Sequence, residues 1–263
     1  MLPSFLLTLR EGLEAALIIG IVLGVLNRLK RPHLRPVVWR GALVAALLAA
    51  VIAVLLSLVG MKLEGSAEAI FEGIAMLLAA GVLTWMIFWM QRQGSNIKAG
   101  LEAETNRALA ARGGSALFAL AFLAVFREGI ELALFLLAAQ MTSTPLATLA
   151  GALAGLAAAA GLGWLLFSTT HRLNLKRFFQ ITNVLLILFA AGLVGHGVHE
   201  LNEASWIPAV VDPLYNINPV LDETSPLGVG LKTIFGFNAN PSLTETGAYV
   251  GYFLLIALSL ALT

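Results

Sequence analysis

The chain has 263 residues, 59% hydrophobic and 12% charged, with a net charge of +1, no cysteine and a mean hydropathy of +0.89. This excludes an ordinary soluble domain, where roughly half the residues are apolar and about a quarter charged. The near-zero net charge excludes a nucleic-acid partner, and the missing cysteines remove disulfides, thiolate metal sites and cysteine nucleophiles together.

A helix needs roughly 20 apolar residues to cross about 30 Å of hydrocarbon. Seven stretches meet or approach that length, at about 3–27, 37–59, 67–90, 115–140, 145–168, 178–201 and 246–262. The expected fold is an all-α polytopic membrane protein forming one transmembrane domain over 1–263. No basic residue precedes the first stretch, and charged residues interrupt it, so it reads as the first membrane helix rather than a cleaved signal. It carries Arg10-Glu11-Gly12-Leu13-Glu14. The fourth stretch carries the same pattern as Arg127-Glu128-Gly129-Ile130-Glu131.

The connections alternate in charge. The first carries Arg28, Lys30, Arg31, Arg35 and Arg40; the third Arg92, Lys98, Arg107 and Arg112; the fifth Arg172, Lys176 and Arg177. The second carries Glu64 and Glu68 with Lys62, the fourth has no charge, and the sixth has Lys232 against Glu203, Asp212, Asp222, Glu223 and Glu245. By the positive-inside rule the N-terminus lies outside and the C-terminus in the cytoplasm. The two pentads are then an odd number of crossings apart. Stretches one to three (about 3–90) and four to six (about 115–201) are expected to form a 3+3 inverted repeat, an arrangement common in transporters. The seventh helix (about 246–262) reads as an addition. The cytoplasmic stretch from Leu101 to Arg112 reads as a solvated connector or a short surface helix. The external loop, about 202–246, is too long for a plain connector and is expected to cover the outer mouth or meet a partner.

Within each pentad the two glutamates are three residues apart and share a helix face, while Arg10 and Glu14, like Arg127 and Glu131, are four apart and can pair. Glu11 and Glu14 fall roughly 12–17 Å into the first helix at 1.5 Å per residue. An ionised side chain near the bilayer centre costs about 2.5–3.5 kcal/mol on insertion scales. Two internal ion pairs relieve part of this, but four carboxylates against two guanidiniums leave two negative charges. A bound cation or protons resolve the excess. Oxygen-only donors suit hard ions such as ferric iron, Mg²⁺, Ca²⁺ or Mn²⁺.

A second constellation lies at the outer end of stretch six. His196, His199, Glu200 and Glu203 share one helical face, and the outer end of stretch three carries Glu64, Glu68 and Glu72 at a spacing of four. These are candidate ligands for a cation arriving from outside. The order H-x-x-H-E fits no zinc-protease motif.

A seven-span chain with an R-E-x-x-E motif in spans one and four resembles the high-affinity, oxidase-dependent iron permease family, in particular bacterial Efe-type iron permeases. The resemblance runs through the H-E-L-x-E end of stretch six and the segment from Ile207-Pro208 to Asp212-Pro213-Leu214-Tyr215. It implies a transporter, not an enzyme, moving iron as Fe³⁺ delivered after oxidation. The cargo would cross the cytoplasmic (inner) membrane past Glu11, Glu14, Glu128 and Glu131, with Arg10 and Arg127 in supporting places. It implies no organic cofactor. The implied partner is an iron-oxidising or iron-delivering protein outside the membrane, a multicopper oxidase in fungal relatives and a haem peroxidase-like component in bacterial ones. The fungal outer-loop acidic motif is matched loosely by Asp222-Glu223-Thr224-Ser225. Another divalent metal such as lead or manganese, or a proton-coupled ion carrier, is the alternative.

Overall fold

In a bilayer no water satisfies a bare peptide group, so a spanning segment must close its hydrogen bonds internally, and runs rich in Leu, Ala, Val and Ile fold as helices. The computed structural model describes residues 1–93, 97–111, 113–168, 175–223 and 225–261. Among them are nine α-helices: α1 (Leu2–Arg28), α2 (Arg35–Gly60), α3 (Ser66–Gln93), α4 (Ile97–Ala111), α5 (Gly114–Met141), α6 (Pro145–Ser168), α7 (Leu175–Glu203), α8 (Pro226–Phe235) and α9 (Leu243–Ala261). A long helix lies over each of the seven apolar stretches. Arg112, His171, Arg172 and Thr224 fall outside the described residues.

Five segments are long and apolar enough to cross a membrane by length and composition: Pro32–Gly60, Ser66–Met90, Pro145–Leu166, Arg177–Glu203 and Leu243–Ala261. The other two long helices, α1 with 27 residues and α5 with 28, are each interrupted by the three charges of a pentad. The apolar exterior agrees with a lipid environment: Leu43, Leu47, Val51 and Val54 of α2 are all more than half exposed. The chain is an integral membrane protein.

Packing is reciprocal. α1 runs along α6, α2 along α5 and α3 along α7, while α1 and α5 cross in the middle. Small residues set the spacing, as expected where helices gain no hydrophobic drive from lipid. A Cβ on Gly12 would come 2.7 Å from Ala159 Cβ, and one on Gly129 would come 2.5 Å from Ala49 Cβ. Likewise Gly41 lies against the Phe118 carbonyl and Gly151 against that of Met1. Gly12 and Gly129 are 117 residues apart, as are Met1 and Phe118; Ala49 and Ala159 are 110 apart, as are Gly41 and Gly151. One register therefore describes both pairs.

α4 lies at the end of the bundle that holds the end of α1 and the start of α5. Its Ala108 and Leu109 pack on Val22, Leu26 and Leu117, and Glu102 accepts from Arg28 at 2.9 Å. A larger core joins α3, α5, α7 and α9 through Met76, Leu83, Phe135, Phe189 and Tyr252. α8, inside the connection over 202–246, was not foreseen. Ser225 caps it, accepting from the Gly228 N–H at 3.0 Å, and Gly236 ends it with φ +68°, a conformation that favours glycine.

Candidate functional site

Glu11 is the tenth residue of α1 and Glu128 the fifteenth of α5, which puts both near mid-length, roughly 14 and 21 Å from the helix starts at 1.5 Å per residue. The small contacts at Gly12 and Gly129 let α6 and α2 press on the two pentads from outside, and α1 and α5 meet between them. Carboxylate oxygens of Glu11, Glu128 and Glu131 all come within 4.8 Å of one another. Among the described residues this is the one group of three acidic or histidine side chains so placed. Ligands at roughly 2.0–2.4 Å from a shared ion lie no more than about 4.8 Å apart, so the spacing fits a single hard cation.

The group is buried: Glu11 is 1% exposed, Glu128 7% and Glu131 9%. Both oxygens of Glu11 and one each of Glu128 and Glu131 have no hydrogen-bond partner within the protein. Buried anionic oxygens are ordinarily paired, and leaving them unmet costs the full desolvation of each. The ion pairs expected within the pentads form. Arg127 Nε donates to Glu131 Oε1 at 2.9 Å, and Arg10 Nε lies 3.4 Å from Glu14 Oε1. Glu14 is thereby turned to Arg10 and stands beside the three-carboxylate group rather than in it. The two arginines differ. Arg10 is fully buried and none of its guanidinium nitrogens makes a hydrogen bond within the protein, whereas Arg127 is partly open and stacks over Trp89 with its guanidinium carbon 4.8 Å from the ring centre.

The constellation at the end of α7 does not gather into a comparable group. His196 is buried, with Nδ1 3.1 Å from the Gly192 carbonyl and Nε2 without a partner. The His199 ring is engaged on both sides, Nε2 3.4 Å from Glu203 Oε1 and Nδ1 3.2 Å from Glu245 Oε2. Glu200 and Glu72 are half-buried, Glu68 and Glu64 are exposed, and Glu68, Glu200 and Glu203 stand within electrostatic reach of Glu72. A shared helical face aligns side chains without bringing them to one height, and α9 takes up the His199 ring. These side chains form a loose acidic rim rather than a close group like that of Glu11, Glu128 and Glu131.

Glu245 is the residue that spacing on stretch six could not supply. It is 3% exposed, and Asn238 Nδ2 donates to both its oxygens at 3.0 Å. A signal was present: Ser242-x-x-Glu245 before an apolar run is a helix-start pattern, and Ser242 Oγ accepts the Glu245 N–H at 3.1 Å. The start of α9 accordingly lies at Leu243. In the loose acidic motif of the outer loop, Glu223 is tied to the Ala239 N–H and lies 3.5 Å from Lys232 Nζ, so it fastens the loop.

Fold and site together define an integral membrane protein with an anionic centre enclosed among its helices. The chain belongs to the Iron permease FTR1 family, whose model matches residues 1–263. It is 36% identical over 265 residues to the ferrous iron permease EfeU of Shigella sonnei (strain Ss046), covering 100% of this chain and 96% of that protein. The ferrous iron permease EfeU of Escherichia coli O157:H7 gives the same figures. That of Yersinia pestis is 34% identical over 254 residues, covering 96% of this chain and 90% of its own. No solved structure matches this chain.

Proposed function

We propose that the protein carries iron across the cytoplasmic membrane through the paired pentads. The observation that carries this is the convergence of Glu11, Glu128 and Glu131 within 4.8 Å at mid-length of α1 and α5, with four buried oxygens lacking partners in the protein. Glu14 and the two arginines limit the net charge and hold the carboxylates in place. Membership of a permease family supports transport rather than catalysis.

Seven spans arranged as an inverted repeat, with the N-terminus outside, accompany this reading. Its support is the common 117- and 110-residue register of the glycine contacts and the alternating loop charge. The outer rim of Glu68, Glu72, His196, His199, Glu200 and Glu203 then attracts the cation at the mouth. The outer loop with α8 is the surface for an iron-oxidising or iron-delivering partner.

Two readings of the iron differ in oxidation state. The all-oxygen donor set favours Fe³⁺ delivered after oxidation. The relatives carry "ferrous" in their names, which favours Fe²⁺.

Radioactive iron uptake into cells carrying the wild type or the Glu14→Gln, Glu131→Gln double variant, at matched membrane levels, tests the proposal. Uptake should fall at least tenfold in the variant; equal uptake would demote the pentads to helix-locking ion pairs. Repeating the assay with and without a ferrous-specific chelator separates the oxidation states.

A further inference from the structure

Arg10 and Arg127 hold matching places in the two pentads, yet Arg10 is fully buried and the side chain of Arg127 is 41% exposed. The surroundings explain the difference. On the α1 side, Leu6 lines a small cavity together with Leu186 and Phe189 of α7 and Ile234 of α8. The residue 117 positions after Leu6 is Leu123, and it is 63% exposed. One helical stripe of α5, Ser115, Ala119, Leu123 and Arg127, stays open from the helix start to the pentad. The stripe runs from Arg127, which pairs with Glu131 one turn on, back to the end rich in Arg and Lys.

A guanidinium at mid-length of a membrane helix must have water or a polar partner. Arg127 has one ion pair, to Glu131, and two aromatic faces, Trp89 at 4.8 Å and Trp85 at 5.8 Å. Lipid tails would strip the open part of the group of water. A second copy covering this stripe would have to bring a polar partner to the guanidinium. Water entering from the cytoplasmic end satisfies it.

We propose that this stripe of α5 is the cytoplasmic release route for the cation, with Arg127 as the gate over Glu131 and Trp89 as its positioning residue. The inference rests on the transport reading above. While the guanidinium occupies Glu131 Oε1, it shields that carboxylate from the cytoplasmic side. A cation in the glutamate group repels the guanidinium, and the Trp89 face receives the displaced charge, opening the way past Leu123 and Ala119.

The chain has no cysteine, so single substitutions report directly on water access. A charged, membrane-impermeant methanethiosulfonate reagent is applied to inside-out vesicles carrying Ala119→Cys, Leu123→Cys or, as a lipid-facing control on α2, Leu47→Cys. The first two are expected to react at least tenfold faster than the control. Modification of Leu123→Cys should abolish iron flux across the same vesicles. Reaction no faster than the control, or reaction with flux unchanged, overturns the route. So does a disulfide between copies formed by Leu123→Cys. Failure of the transport reading is told apart because wild-type vesicles would then move no iron, whatever the labelling. For Trp89, the Leu variant should lower the maximal rate at least fivefold with little change in KM, and the Phe variant should restore most of it. Equal loss in both would mean a packing role and remove Trp89 from the gate.

Discussion

Glu11 of α1 and Glu128 of α5 are 117 residues apart in the chain and present carboxylate oxygens within 4.8 Å of each other. Both oxygens of Glu11 and one of Glu128 have no hydrogen-bond partner in the protein. Helix packing alone forces the two anions together, so the protein stores an electrostatic conflict that a cation relieves.

Glu11→Gln should therefore stabilise the metal-free protein while reducing transport. Leaving a buried polar group unmet costs about 1–3 kcal/mol, more for a charged one, and the Gln amide can donate to Glu128. Thermal unfolding of the purified protein in detergent should show a higher midpoint, with iron uptake at least tenfold lower. A lower midpoint would mean that the Glu11 carboxylate is needed for folding.

The same conflict predicts stabilisation by the cargo. A ligand that binds only the folded state adds about 2.7 kcal/mol at a hundredfold excess over its dissociation constant. Iron should raise the wild-type melting midpoint, and the rise should vanish in Glu11→Gln and in Glu128→Gln. Equal shifts in all three proteins would place the bound iron elsewhere.

Much of this was legible in the sequence, and the reason is local. Charges inside an apolar run stand out, and the i,i+4 spacing of Arg127 and Glu131 fixes their pairing within one helix. The lengths of the apolar runs bounded the seven long helices to within three residues, although the Ser242 cap of α9 went unread. What stayed hidden depends on contacts between distant elements. Nothing in the chain order says that Trp89 of α3 lies under Arg127, that Asn238 clamps Glu245, or that α8 reaches α1 while Leu123 of α5 stays exposed. The histidines of α7 were read from spacing alone. Shared phase on one helix says nothing about a neighbour such as Glu245, which claims the His199 ring from α9.

Glu245 predicts a role in holding the outer loop. It accepts from Asn238 and pairs with His199, so it joins the loop, α9 and α7 at one buried point. Glu245→Ala would leave the Asn238 amide unmet, at a cost of about 1–3 kcal/mol. The segment 204–242 should become cleavable by protease added from the outside, with the membrane helices intact. Unchanged resistance would show that the loop is held by its other ties, such as Glu223 to the Ala239 N–H.

The glycines inside the pentads are the strictest part of the motif on steric grounds. A methyl group at Gly12 would meet Ala159 Cβ at 2.7 Å, and one at Gly129 would meet Ala49 Cβ at 2.5 Å, both on neighbouring helix bodies that cannot rotate away. Overpacking of this kind costs about 1–3 kcal/mol, and it also shifts the glutamates that flank each glycine. Gly129→Ala should lower both the melting midpoint and iron uptake. Adding Ala49→Gly should restore both, because the pair then keeps its total volume. The matching pair, Gly12→Ala with Ala159→Gly, should behave alike. The double-mutant cycle reads the coupling directly, and contacting residues typically give about 0.5–3 kcal/mol. If the second substitution restores nothing, the glycines matter for helix geometry rather than for the fit of α5 on α2 and α1 on α6.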